Sequence, residues 1–207
     1  MTTDRTSAEG RTPNRWGEGQ RLRAEILAAA RRLLREGGAP EEISLRAIAR
    51  ETGIAAPSVY KHFRDKAELM ATVLDELHAE LAEAMSAAAQ SAPDPWSALT
   101  AAIDLYWRFA TQQRQRYQFM FHIGPMLSVE GSQVYDSFGR VLEVWKQVVG
   151  DYLADAGKAT PHDFTAHLLW SGLHGQLGVW WGISHEAPEQ PALELREALL
   201  LSLFDRR

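Results

Sequence analysis

Two short helical segments joined by a tight turn, within residues 44–63, constrain the fold of this chain most strongly. The segment reads SLRAIARETGIAAPSVYKHF. Ser44 stands where the first helix needs an N-cap, and Gly53 supplies the turn. Ile48 faces inward, and the small Ala49 lets the two helices cross closely. This pattern predicts a helix-turn-helix, whose second helix enters the major groove of DNA.

The rest of the chain is predicted to be helical as well. Apolar residues recur at helical spacing between Gly and Pro breaks, and we find no alternating run typical of a strand. Asp65, Asp94 and Thr160 are expected to cap later helices. The predicted helices cover about 20–36, 44–51, 56–62, 65–89, 95–114, 117–123, 130–156, 161–184 and 192–204. The expected fold is therefore all-α with nine helices.

Charge is distributed unevenly along the chain. The whole chain carries −5, but residues 1–66 carry +4 and residues 67–207 carry −9. A basic N-terminal part on an acidic body is expected if only that part meets phosphate. Chance variation of surface charge is the alternative.

Composition excludes several kinds of site. The chain has no cysteine, which rules out disulfides, thiolate-bound zinc and a cysteine nucleophile, and which suits a reducing cytoplasm. We see no signal peptide. The longest apolar run, 168–183, contains His174 and Gln176 and is too short and polar to span a bilayer. We expect a cytoplasmic protein with no membrane partner and no cofactor.

Residues from Leu22 to about Leu69 closely resemble the DNA-binding domain of TetR-family regulators. The matching positions are Ser44, Ile48, Ala49, Gly53, Tyr60, Lys61, His62, Phe63 and Lys66. The resemblance implies a TetR-like architecture, with an N-terminal three-helix helix-turn-helix domain and a C-terminal helical ligand-binding and dimerisation domain. We therefore expect a disordered tail over 1–19, the DNA-binding domain over 20–66 and the C-terminal domain over 67–207.

The candidate DNA contacts fall into two groups. The hydroxyl and charged groups expected at phosphates belong to Ser44, Arg46, Tyr60 and Lys66. The side chains expected near base edges are those of Ala56, Pro57, Ser58, Lys61 and His62. Taken singly, Arg46 and Lys61 could be solvated surface charges, and Tyr60 and His62 could be packing residues. Their joint placement favours DNA binding.

One position departs from the family pattern. Ala55 stands where the family commonly has Ser or Thr as the cap of the recognition helix, and alanine cannot cap. One phosphate contact and some local helix stability are in doubt. The tail residues Arg11 to Trp16 suit either a minor-groove arm or, more simply, an untethered polar tail.

Large aromatic side chains in the C-terminal part suggest an apolar pocket with a few polar groups, although a packed core explains most of them. TetR-like proteins usually hold a small-molecule effector there, and we expect an apolar or aromatic one. The candidate lining residues are Trp107, Tyr117, Phe121, His122, Trp145, Trp170 and His174. The stretch from Trp170 to Gly175 also resembles the W-x-x-x-H-G signature of one TetR subgroup.

The last two helices suggest an interface between subunits. Small residues at Gly172, Gly175 and Gly178 permit close helix approach, and the final helix is apolar nearly all round in its C-terminal half. A four-helix bundle in a homodimer, or burial inside a monomer, would accommodate these features. His167 and His174 share a face, but two helical turns separate them, and we expect no metal site.

Three functions are compatible with these features. The favoured one is a ligand-responsive repressor that binds a palindromic operator as a dimer. A helical enzyme is disfavoured, because no catalytic motif is present. A scaffold that has lost DNA binding is the third, and Ala55 mildly favours it.

Overall fold

A computed structural model describes residues 18–36, 43–123, 134–183 and 190–204. In these ranges the chain forms nine α-helices and one π-helical turn, Phe119–Ile123, which continues α6, and it forms no strand. The helices are α1 (Glu18–Arg35), α2 (Leu45–Thr52), α3 (Ala56–Val59), α4 (Lys66–Gln90), α5 (Pro95–Gln112), α6 (Arg114–Gln118), α7 (Val134–Asp155), α8 (His162–Ile183) and α9 (Gln190–Phe204). The predicted all-α, nine-helix fold is confirmed.

Side-chain caps fix several helix starts where the sequence predicts them. The backbone N–H of Ala47 donates to Ser44 Oγ at 3.1 Å. Asp65 caps α4 by accepting from the N–H of Glu68 at 2.8 Å, and Asp94 caps α5 in the same way. At the other end of α2, Gly53 has φ 70°, a left-handed conformation that favours glycine.

The recognition helix is shorter than the sequence predicts. α3 ends at Val59, and the following residues, predicted to be helical as far as His62, form a turn instead. Ala55 makes no side-chain capping hydrogen bond, as expected for alanine, and Pro57 has no N–H to donate. The helix begins at the predicted residue without a side-chain cap and comprises a single turn of four residues.

Buried side chains form a core that runs from the first helices into the body. In the N-terminal part, Ile26, Ile48, Val59 and Phe63 are buried, and the guanidinium of Arg23 lies 4.6 Å from the centre of the Phe63 ring. In the body, α4 packs against α5 and α7, and α7 packs against α8. α4 therefore contributes to both halves of the molecule.

The last two helices approach each other closely at one glycine. A Cβ added to Gly172 would lie 2.6 Å from Leu199 Cδ2, so a larger residue would push the α9 side chain aside. The predicted close approach is confirmed at this glycine, whereas a Cβ at Gly175 would meet nothing within 4 Å. The end of α9 is held by Lys158 Nζ, which donates to the Phe204 carbonyl at 2.6 Å.

Among the residues that the structure describes, no helix is long and apolar enough to cross a bilayer.

Candidate DNA-binding surface and aromatic site

The nine predicted DNA-contact residues lie at the start of α2, along α3 and its following turn, and in the first turn of α4. None of them is fully buried. Tyr60 is 59% exposed although its neighbour Val59 is fully buried. Lys61 is exposed and Ser58 half-buried, so neither belongs to the core. Exposed and half-buried side chains here are accessible to a partner.

The remaining candidates offer complementary chemistry. Arg46 and Pro57 are exposed, and Ala56, His62 and Lys66 are half-buried. Ser44 is exposed at the N-terminus of α2, and its Oγ accepts one bond from the helix. Because that bond uses only an oxygen lone pair, the hydroxyl hydrogen can still be donated to a phosphate oxygen. This part of the chain therefore presents cations, hydroxyl donors and a helix N-terminus together.

Replacing the alanine before the recognition helix should stabilise the protein. In Ala55→Ser, the new hydroxyl can share the N–H of Ser58, which already donates to the carbonyl of residue 55 at 2.8 Å, because Pro57 has no N–H. We expect the free energy of unfolding to rise by about 0.5–1 kcal/mol, measured by urea denaturation. The matched control is the opposite change at an existing cap, Ser44→Ala. It should lower the free energy of unfolding by a similar amount. A fall in the free energy of unfolding for Ser44→Ala without a rise for Ala55→Ser would contradict the role given to the missing cap.

Within the body, eight rings pack into what we call the aromatic cluster. The cluster consists of His78, Tyr106, Tyr117, Phe121, Phe138, Trp145, Trp170 and His174. It includes five of the seven predicted ligand-site residues. Phe121 packs against most of the other rings, including Tyr117 at 4.9 Å and His174 at 5.5 Å between ring centres.

A hydrogen bond joins α6 to α8 inside this cluster, and a stacked pair on α8 lies next to it. The hydroxyl of Tyr117 lies 2.5 Å from His174 Nδ1, and the Trp170 ring stacks on His174 at 5.0 Å. The Tyr106 and Tyr117 hydroxyls are 3.4 Å apart. Burial raises the pKa of both phenols, which keeps them protonated and uncharged at neutral pH. The two hydroxyls can therefore take part in hydrogen bonds while the cluster carries no negative charge from them.

Two of the predicted ligand-site residues are not placed in the cluster. The Trp107 ring packs beneath the guanidinium of Arg196 at 5.6 Å, toward α9, and Arg196 pairs with Asp104 at 2.8 Å. The side chain of His122 lies outside the described residues.

The structure adds three rings that the sequence analysis did not select, namely His78, Tyr106 and Phe138. His78 is the informative one, since it is only 1% exposed. Burial lowers its pKa to about 4, so the ring is neutral near pH 7. A histidine within the apolar stripe of α4 is the sequence signal that would have pointed to it.

Charged side chains connect the N-terminal helices to the body beside the cluster. Arg31 of α1 pairs with Glu76 at 3.4 Å and also with Glu80 on α4. Arg116 of α6, next to Tyr117, pairs with the same Glu80 at 3.2 Å. These groups line a groove of about 570 Å³. Helices α1, α4 and α6 therefore meet through one ion-pair network.

The described residues contain no group of three or more His, Asp or Glu side chains that could hold a metal.

Comparison with solved structures shows the same fold in other proteins. A protein of unknown function from Rhodococcus sp. RHA1 superposes with a TM-score of 0.71 and 24% identity, covering 89% of this chain and 94% of that one. The transcriptional regulator FadR from Bacillus subtilis, solved in complex with stearoyl-CoA, superposes with a TM-score of 0.68 and 12% identity, covering 89% and 99%.

Sequence comparison identifies the family. An uncharacterized HTH-type transcriptional regulator of Haemophilus influenzae is 29% identical over 101 residues, so that this chain spans about half the length of that curated relative. Residues 26–73 match the family of bacterial regulatory proteins called tetR, and residues 99–201 match the tetracyclin repressor-like C-terminal domain. The chain therefore belongs to the TetR family of DNA-binding transcriptional regulators, which are not enzymes.

Proposed function

We propose that this protein is a homodimeric repressor that leaves a palindromic operator when a small, largely apolar effector binds in its C-terminal body. In this proposal residues 20–66 form the DNA-binding domain and residues 67–207 the effector-binding and dimerisation domain. The observation that carries the proposal is the exposed, hydroxyl-bearing and cationic surface of α2, α3 and the first turn of α4, on a buried helix-turn-helix core.

The exposed apolar side chains support a dimer through the last two helices. Apart from Tyr60, every exposed large apolar side chain among the described residues lies on α8 or α9. These residues are Phe164, Leu168, Val179, Leu195 and Leu201. Exposed apolar side chains concentrated on two neighbouring helices are typical of a subunit interface. A twofold pairing of α8 and α9 would cover it with a four-helix bundle.

The aromatic cluster supports an effector with a substantial apolar part. Four of its rings, those of Phe121, Phe138, Trp170 and His174, are half-buried rather than fully buried, which leaves them accessible to a small molecule. The FadR structure with stearoyl-CoA has the same fold, and acyl chains are one apolar class to screen.

The ion-pair network supports a route from effector to DNA. Arg116 lies beside Tyr117 in sequence and reaches Glu80, which Arg31 also contacts. A shift of α6 on effector binding would alter the pairing of α1 with α4. We propose that this changes the spacing of the two recognition helices, because a dimer binds adjacent major grooves only when they lie about 34–36 Å apart.

A gel-shift experiment tests the proposed function. The full-length protein is titrated onto the DNA upstream of its own gene, with random DNA of equal length as the control, at about 150 mM salt. We expect binding of the upstream DNA to be at least about 1000-fold tighter than binding of random DNA. Equal affinity for the two would overturn the proposal.

A further inference from the structure

Two buried ring nitrogens of the aromatic cluster, His78 Nε2 and Trp145 Nε1, have no hydrogen-bond partner among the described residues. The indole N–H of Trp170, by contrast, interacts with the Tyr106 hydroxyl. A buried polar atom left without a partner is costly, and most such atoms in folded proteins are satisfied. Two of them in one cluster therefore point to a polar group that belongs to a bound molecule.

The hydrogen-bonding role of each nitrogen follows from its chemistry. His78 Nδ1 lies 3.0 Å from the Leu74 carbonyl, which can only accept, so Nδ1 carries the ring proton. In the neutral ring, Nε2 is then a hydrogen-bond acceptor. The Trp145 indole nitrogen is a donor only. The cluster thus offers one unused acceptor and one unused donor.

Apolar rings lie against His78. Phe121 lies 5.5 Å from the His78 ring and 6.5 Å from Trp170. Phe138 likewise lies between the two, 6.3 Å from His78 and 4.7 Å from Trp170. The charged groups that act on His78 are Asp75 and Arg140, and they pair with each other at 3.3 Å. A ligand charge placed among the rings would be desolvated and would have to compete with that pair for a counter-charge, which disfavours ionised ligands.

We infer that the effector is an uncharged apolar or aromatic molecule bearing a hydroxyl, whose hydrogen is accepted by His78 Nε2 and whose oxygen accepts from an indole N–H. The inference rests on the proposed effector-binding role of the body and adds the ligand class and the residue that selects it. A hydroxyl suits the site because a single group supplies both the donor and the acceptor.

The position of His78 gives this bond a direct connection to the DNA-binding surface. His78 lies on α4, the helix whose first turn contains Lys66. Twelve residues of helix separate the two, or about 18 Å. A ligand held by His78 therefore acts on the same rigid helix that presents Lys66.

Three small probes of similar size test the inference on the full-length protein. Phenol both donates and accepts, anisole only accepts, and toluene does neither. Since toluene is the most apolar, simple burial predicts that it binds tightest. We expect calorimetry to show instead that phenol binds about tenfold tighter than anisole, and that toluene binds weakest.

Substitutions at His78 identify the selecting atom. His78→Met removes the acceptor and should abolish the preference for phenol over anisole, whereas His78→Gln keeps an acceptor oxygen and should retain most of it. Trp107→Phe, outside the cluster, is the control and should leave all three affinities unchanged. Should His78→Met fail to fold, Trp145→Phe decides, because loss of the unused indole donor should weaken the binding of phenol and anisole but not that of toluene.

Two outcomes would overturn the inference. One is wild-type protein that binds phenol no tighter than toluene, and the other is a folded His78→Met protein with an undiminished preference for phenol. Binding to upstream DNA is measured on the same samples without any probe. Intact DNA binding together with either outcome would refute the hydroxyl ligand while leaving the proposed regulator in place.

Discussion

Alanine at both Tyr60 and Lys66 is expected to weaken binding to the upstream DNA by at least about 100-fold. Tyr60 is largely exposed beside a buried Val59, and Lys66 lies in the first turn of α4. A hydrogen bond to a charged group such as phosphate contributes about 1.5–3 kcal/mol. A dimer loses both contacts twice. Fluorescence anisotropy with labelled DNA measures the change.

Salt dependence separates a phosphate contact from a general loss of structure. Each phosphate contact adds about 0.9 to the slope of log affinity against log salt, so Lys66→Ala should lower the slope by about 2 for a dimer. The matched control is Lys146→Ala on α7, where Lys146 pairs with Glu143 at 2.7 Å. It should change neither affinity nor slope. Full affinity in a folded double variant at positions 60 and 66 would remove both residues from the interface.

Glutamate at Leu168 and Val179 is expected to convert the protein to a monomer. Val179 is 63% exposed and Leu168 is exposed as well, both on α8. Burial of such a side chain contributes about 1.5–3 kcal/mol, and twofold symmetry doubles every loss. The dimer dissociation constant should therefore rise by more than about 100-fold. Sedimentation at micromolar concentration measures it.

A glutamate elsewhere on the surface controls for added charge. Ala87→Glu lies on the exposed face of α4, away from α8 and α9, and should leave the oligomeric state unchanged. Circular dichroism should show equal helix content in both variants. A Leu168→Glu/Val179→Glu protein that sediments as a wild-type dimer would place the interface elsewhere.

Local rules predict most of the fold from the sequence. Ser44, Gly53, Asp65 and Asp94 each act through neighbours within five residues, and the structure confirms all four roles. The C-terminal end of α3 was predicted wrongly, because the apolar spacing continues through Phe63, whose N–H still donates to the Val59 carbonyl at 3.0 Å, although the helix itself ends at Val59.

The aromatic site is only partly predictable from the sequence. Aromatic type alone selects Tyr117, Phe121 and Trp170 correctly as neighbours, but it also selects Trp107, whose ring packs against Arg196 instead. Which face of α5 turns toward α6 depends on contacts far apart in sequence. His78 lies 39 residues before Tyr117, and no local pattern brings them together. The W-x-x-x-H-G subgroup stays a prediction, as do the individual DNA and ligand contacts.

Hydroxyl-radical footprinting on the upstream DNA tests the central claim most directly, since it reports both the contact and its symmetry. A dimer that presents two α3 helices should protect two half-sites related by a dyad, with centres one helical turn or a multiple of it apart. The Tyr60→Ala/Lys66→Ala protein should lose both protections together. Protection that is uniform along the DNA, or confined to a single half-site, would contradict the account of a dimeric, sequence-reading regulator.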